Sequence, residues 1–261
     1  MRLLPSLRSG LLRVRWRFYK RSSLRLALPF AALLLGSAAP ARAERVAPGE
    51  EPAFVQLYKQ LAVKLVRGNR EGALFLGSGF AWVHEGRAFA ITNFHVAERG
   101  LGSEPAPGGL YVAFPEPANW HAATHLRAVP EADIALIETD VQAPRANPYT
   151  LGVAGIGEAV YSIGFDESIY NQPAPVVFKG KVLGVAGALF PRSVVVARPP
   201  FPPDAVGVYV IDGSDCAHGA SGSMLLNSRG ELVAVNAGRI EGGLCIAVDI
   251  DEVVRLLRRR R

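Results

Sequence analysis

The sequence predicts an all-β protein, and two observations carry that reading. Short apolar runs follow one another at 62–66, 74–83, 88–92, 110–114, 134–138, 159–163, 176–185, 193–197, 207–211, 223–226, 231–236 and 244–248. Gly, Pro, Asn or Asp stands in nearly every gap, and no long helical pattern separates one run from the next. Strands alternating with helices would build a parallel sheet, whereas strands separated only by turns build an antiparallel barrel or sandwich.

The elements outside the runs follow in chain order. Residues 1–43 hold nine Lys or Arg and no acid: a basic stretch to Arg25, an apolar core from Leu26 to Ala39, then Ala41-Arg42-Ala43. This is the order of a secretory signal, with cleavage expected after Ala43. The apolar part, about 14 residues, is short of the roughly 20 that span a bilayer. The long basic region leaves an uncleaved anchor as the alternative. Tyr19-Lys20-Arg21-Ser22 lacks a paired arginine, so a general export route to the periplasm or medium is expected, with no stable membrane span after cleavage.

After a Glu/Pro linker, residues 52–60 (PAFVQLYKQ) have helical spacing, with Phe54, Leu57, Tyr58 and Leu61 on one side. The stretch 141–150 (VQAPRANPYT) divides the β runs into two groups, as a linker would. A helical pattern returns at 249–258 (DIDEVVRLLR), acidic at its start and arginine-rich at its end, which suits the helix dipole. No internal repeat is evident, and no further recognition domain, a PDZ domain included, is expected after Arg261.

Charge argues against one class of function. The 261 residues carry a formal +6, but removing residues 1–43 leaves 20 bases against 23 acids, a net −3. A mildly acidic body does not suggest a nucleic-acid-binding face. The Gly-rich stretch 152–157 (GVAGIG) precedes a strand and opens no helix, which argues against nucleotide binding. His121 and His125 are four apart and would need a third ligand to hold zinc, so they read as a surface loop and no metal or cofactor is expected.

Cys216 and Cys245 are the only cysteines. In an exported chain a disulfide is the natural reading, closing a loop of about 30 residues worth roughly 3–4 kcal/mol. Two buried thiols are the alternative.

Three polar residues sit where β runs end. "AITNFHVAE" puts His95 just past a strand, followed by a short Val-Ala-Glu turn; "EADIALIE" puts Asp133 before a buried run. "HGASGSMLL" puts Ser221 in a small-residue turn whose N–H groups are free to point at a ligand. Singly, each has a structural reading: a strand-end histidine, a cap, a tight turn. Jointly they are a hydroxyl, an imidazole to take its proton and a carboxylate to hold the imidazole's tautomer. No histidine follows Ser221, which excludes the Ser, acid, His order of α/β hydrolases. An acid before the histidine on parallel strands, the subtilisin order, does not suit the strand pattern.

The segments "GSGFAWV", "AITNFHVAE", "EADIALIE", "GEAVYSIGF", "KGKVLGV" and "HGASGSMLLNSRGELVAVNAG", in this order over about residues 76–250, resemble the landmarks of trypsin-like serine proteases. They are most similar to the bacterial high-temperature-requirement branch. The resemblance implies two six-stranded antiparallel barrels, at about 62–140 and 151–250, between a short N-terminal and a C-terminal helix, within a peptidase domain spanning 44–261. It implies an exported serine endopeptidase acting on peptide or protein substrates through an acyl-enzyme. His95 would be the general base, Asp133 its orienting partner and Ser221 the nucleophile, with the N–H groups of Gly219 and Ser221 as oxyanion hole. Asn236, Ala237 and Gly238 match the strip that pairs with substrate backbone, and the cysteines match a pair bordering the specificity pocket. Asp215 falls near the pocket floor, where it would favour a basic residue at the cleavage site; solvent exposure or turn capping is the other reading. His218 lies where it would touch substrate or face solvent.

Two departures matter. Ala220 stands where activated digestive proteases have an Asp that pairs with a freed N-terminus, so no such switch is expected. Gly222-Ser223-Met224 replaces the usual Gly-Gly-Pro. Ser223 adds a side chain beside the turn, which keeps a catalytically inactive, peptide-binding domain as the competing hypothesis.

Overall fold

The structure is a computed structural model that describes residues 44–68, 73–101, 109–115, 120–139, 148–166, 174–190, 195–197, 205–212, 219–240 and 244–258. Its elements are β1 (Glu44–Arg45), α1 (Ala53–Lys59), β2 (Ala62–Arg67), β3 (Leu74–His84), β4 (Arg87–Thr92), α2 (Phe94–Leu101), β5 (Leu110–Ala113), β6 (Trp120–Val129), β7 (Ile134–Thr139), β8 (Ala159–Gly164), β9 (Val176–Leu189), β10 (Val195–Ala197), β11 (Val206–Asp212), β12 (Met224–Asn227), β13 (Leu232–Arg239), β14 (Cys245–Asp249) and α3 (Ile250–Arg258).

Two closed six-stranded antiparallel barrels result. The first runs β2-β3-β4-β7-β6-β5, closed by β5 on β2. The second runs β9-β11-β14-β13-β12-β8, closed by β8 on β9, with β1 and β10 added along β9. Alternate residues along the strands fall into different apolar clusters. Val63, Leu65, Val112, Ala135 and Ile137 pack with Val96 and Ala97 of α2 in the first barrel, and Val160, Val182, Ile211, Leu225 and Ala247 pack together in the second. A third cluster, with Phe80, Ile91 and Leu136 from one barrel and Met224, Leu226 and Val235 from the other, is continuous across both. Burial on both faces is why the strands read as unbroken apolar runs rather than as alternation.

The terminal helices cross over. The α1 helix precedes the first barrel but sets Phe54 edge-on against Tyr161 of the second, over Gly230. The α3 helix follows the second barrel, and Arg127 of β6 in the first donates to its Leu256 carbonyl at 2.6 Å. Tyr149, between the barrels in sequence, lies stacked between Tyr58 of α1 and Trp82 of β3, and its hydroxyl donates to the Ala81 carbonyl at 2.9 Å.

Three sequence expectations change. The strand β6 lies outside the apolar runs because most of it is half-buried or exposed, while the run at 193–197 contains β10, which pairs β9 outside the ring. His95 lies in the eight-residue helix α2, whose remainder stands where a short turn was expected. In α1 the buried residues are Val55 and Tyr58, and Leu57, expected on the apolar side, is 52% exposed. Most of the 141–150 linker lies outside the described residues, as do residues 1–43. No helix among the described residues is long and apolar enough to cross a membrane.

Candidate active site

Asp133 organises the corner that carries His95. A 3-10 turn, Pro130–Ala132, delivers Asp133 in a left-handed conformation, φ 50° and ψ 37°, which Asp adopts more readily than most residues. Its carbonyl accepts the Phe94 N–H and the Asn93 side-chain amide, both at 3.1 Å. Its carboxylate accepts the His95 backbone N–H at 3.0 Å, where the start of α2 leaves that donor free of a helical partner. The same carboxylate meets the imidazole, with Nδ1 2.8 Å from Oδ2 and 3.1 Å from Oδ1. The Asp133 side chain is 7% exposed and that of His95 39%. A buried carboxylate beside Nδ1 favours the tautomer with hydrogen there, leaving Nε2 as a lone-pair base.

The Ser221 turn is built from backbone constraints. Gly219 and Gly222 have φ of +100° and +87°, conformations that suit glycine. The Ala220 carbonyl accepts the Ser223 N–H at 3.0 Å and the Asn236 side-chain amide at 3.4 Å. Asn236 of β13 also accepts from the Gly222 N–H at 2.8 Å and donates its own N–H to Ser223 at 2.9 Å. Both main-chain groups of Asn236 thus serve the turn. Ala237 lies at the register shift between Asn236 and Gly238, and its carbonyl accepts the Ser221 hydroxyl at 3.2 Å.

Close packing joins the turn to the His95 corner. A Cβ on Gly77 of β3 would lie 2.9 Å from both Val96 methyls and 3.1 Å from the Ser221 carbonyl oxygen, so residues adjoining His95 and Ser221 press on one point. A Cβ on Gly222 would lie 2.0 Å from the Ser78 carbonyl oxygen and 2.4 Å from Thr92 Oγ1. Ser223 is buried, and its hydroxyl occupies space that Gly164 leaves: a Cβ there would lie 1.9 Å from Ser223 Oγ. The site thus draws on Gly77, Ser78, Thr92 and Gly164, none of which sequence reasoning had singled out.

Other expected site residues divide. Asp215, Cys216 and His218 lie outside the described residues. Cys245 is fully buried at the start of β14, and no cysteine among the described residues is free. His121 and His125 fall on β6, not on a loop; His121 lies edge-on to the Phe114 ring and His125 Nδ1 is 3.8 Å from Glu138.

The family model of the trypsin-like peptidase domain matches residues 77–235, more than half of the chain. The chain belongs to the trypsin-like peptidase family. That membership makes it a protease, hence a hydrolase. Solved structures with the same fold include the active form of the Rv3671c protease from M. tuberculosis, at 17% identity, 85% of this chain, 89% of that chain and a TM-score of 0.59. The HtrA-type protease AlgW, solved with a decapeptide, is 18% identical over 78% of this chain and 65% of its own, with a TM-score of 0.58. Deg5 is 22% identical over 77% of this chain and 89% of its own, with a TM-score of 0.56. No curated protein matches this trypsin-like peptidase by sequence.

Proposed function

We propose that the chain is a serine endopeptidase that cleaves peptide bonds through an acyl-enzyme. The observation that carries this is the His95–Asp133 pair at 2.8 Å beside a turn presenting Ser221. In the mechanism, Nε2 of His95 takes the Ser221 proton as Oγ attacks the scissile carbonyl carbon. Asp133 holds Nδ1–H and stabilises the imidazolium that forms. The N–H groups of Gly219 and Ser221 receive the developing oxyanion, a contribution of about 3–4 kcal/mol per donor in such sites. His95 then gives its proton to the leaving amine, and water repeats the cycle on the acyl-enzyme. The Ser221 hydroxyl here donates to Ala237, so attack requires it to rotate away from that carbonyl. With Asn236 committed to the turn, Ala237 and Gly238 supply the backbone for an added substrate strand.

Export is part of the same proposal. The basic, apolar and small-residue order of residues 1–43 supports a signal peptide, and Glu44, the residue after the expected cleavage point, already belongs to β1. In an oxidising compartment Cys245 would pair with Cys216 and tie down the pocket wall.

The Ser221–Ala237 hydrogen bond favours a second reading, a silent domain that binds peptides without cleaving them. Labelling by a fluorophosphonate separates the two. The parent is expected to be labelled and Ser221→Ala not. Equal labelling of both proteins sinks the serine assignment, and labelling of neither supports the silent domain.

A further inference from the structure

Resting on Ser221 as the nucleophile, we propose that Ser78 is a positioning residue that sets the oxyanion-binding geometry of the Gly219–Gly222 turn from the opposite barrel. Ser78 belongs to β3 of the first barrel, the turn follows β11 of the second, and Ser78 is fully buried. Its hydroxyl oxygen accepts the Phe165 N–H at 2.8 Å. The single hydroxyl proton then has two carbonyls in range, Gly219 at 2.7 Å and Phe165 at 3.4 Å, and the shorter contact takes it. The Ser78 backbone N–H donates to the Ser221 carbonyl at 2.9 Å, and its own carbonyl, held by Thr92 Oγ1 at 2.7 Å, is the surface on which Gly222 rests.

One residue therefore holds the carbonyls of Gly219 and Ser221, the two residues whose N–H groups form the proposed hole. Because C=O and N–H lie in one rigid trans plane, fixing a carbonyl fixes the N–H of the next residue. The Ala220 carbonyl, tied to Ser223 and Asn236, directs the Ser221 N–H. The Gly219 carbonyl, tied to Ser78, fixes the Gly219–Ala220 peptide plane and with it ψ of Gly219, the residue whose N–H, across a φ of +100°, is the other donor. Loss of the Ser78 bond would free the Gly219–Ala220 peptide to turn and loosen the link between Gly219 and Ser221, the two donor residues. An alanine would fill nearly the same space as Ser78; what the hydroxyl adds is a proton aimed at Gly219 and an acceptor for the Phe165 N–H.

The test uses the full chain. Ser78→Ala should lower kcat about 10²-fold, the scale of a small misplacement of reacting groups, with KM held within about threefold. Affinity for a peptide aldehyde, whose hemiacetal oxygen takes the oxyanion site, should fall by the same factor. If kcat and aldehyde affinity stay within about threefold of the parent, or if the loss is in KM alone, the proposal is overturned. Amide exchange in the Ser221→Ala background provides a readout that needs no turnover: adding Ser78→Ala should speed exchange at Ala220–Gly222 relative to the rest of the chain, and unchanged exchange overturns the proposal. A parent that cleaves nothing while exchange responds removes the protease reading and leaves Ser78's control of the turn standing. A parent that cleaves while neither kcat nor exchange responds removes only Ser78. Should Ser78→Ala not fold, Ser78→Cys keeps the volume with a weaker donor. A smaller loss in the same direction is expected there, and parental kcat and aldehyde affinity overturn the proposal.

Discussion

Asp133 carries two duties on one carboxylate, holding the backbone N–H of His95 and the imidazole of the same residue. Asp133→Asn is a clean probe, because Asn also tolerates the left-handed conformation. With its oxygen kept on the His95 backbone N–H, its NH2 replaces the oxygen nearest Nδ1 and offers a donor there, so the tautomer is no longer enforced. We expect kcat to fall about 10⁴-fold with native circular dichroism retained; a loss below about tenfold contradicts the orienting role. Asp133 and His95 were legible in the sequence because a charged or basic group at the end of an apolar run must be accounted for locally. Ser78 was not, since its partners lie 87 and 141 positions away and only the packing of one barrel against the other brings them together.

At the scale of elements, β8 and the turn before β12 fit each other through a missing side chain. Ser223 departs from the glycine usual in the family, and Gly164 at the end of β8 makes room for it. Gly164→Ala should destabilise the protein by about 1–3 kcal/mol by overpacking. In a Ser223→Gly background most of that cost should vanish, a coupling readable in a urea-unfolding double-mutant cycle. Additive effects of the two substitutions would mean that Ser223 and Gly164 do not share the space. Twelve barrel strands and twelve apolar runs agree in number for an instructive reason. The half-exposed β6 left no apolar run, while the run at 193–197 gave β10 outside the ring. Hydropathy reports burial, and ring closure depends on backbone pairing, which a wet strand performs as well as a dry one. For the same reason α2 read as a turn: its first donors are satisfied by Asp133, from a segment 38 positions away.

For the whole molecule, the segment that leads into the second barrel is held on the first by aromatic packing around Tyr149. Burial, reinforced by Tyr58, pushes the Tyr149 hydroxyl well above the ordinary value near 10. The folded protein therefore keeps this proton where the unfolded chain releases it, and stability is full below pH ~10 and declines as pH rises above it. Tyr149→Phe should lower Tm slightly at pH 7, by loss of a hydrogen bond worth about 1 kcal/mol, and flatten the alkaline decline in a Tm-against-pH series from 8 to 11.5. An unchanged alkaline slope would assign that decline to other groups.

The pairing along β9 has a consequence for behaviour at high concentration. A strand has only two edges, and β9 is occupied on both at Phe178–Lys179, by β1 and β8, and again at Gly187–Ala188, by β10 and β11. Open overhangs on a 14-residue strand would be templates on which another chain could add itself. The two short strands fill those positions from within the same chain, so both overhangs of β9 are covered by the residues at 44–46 and 195–197.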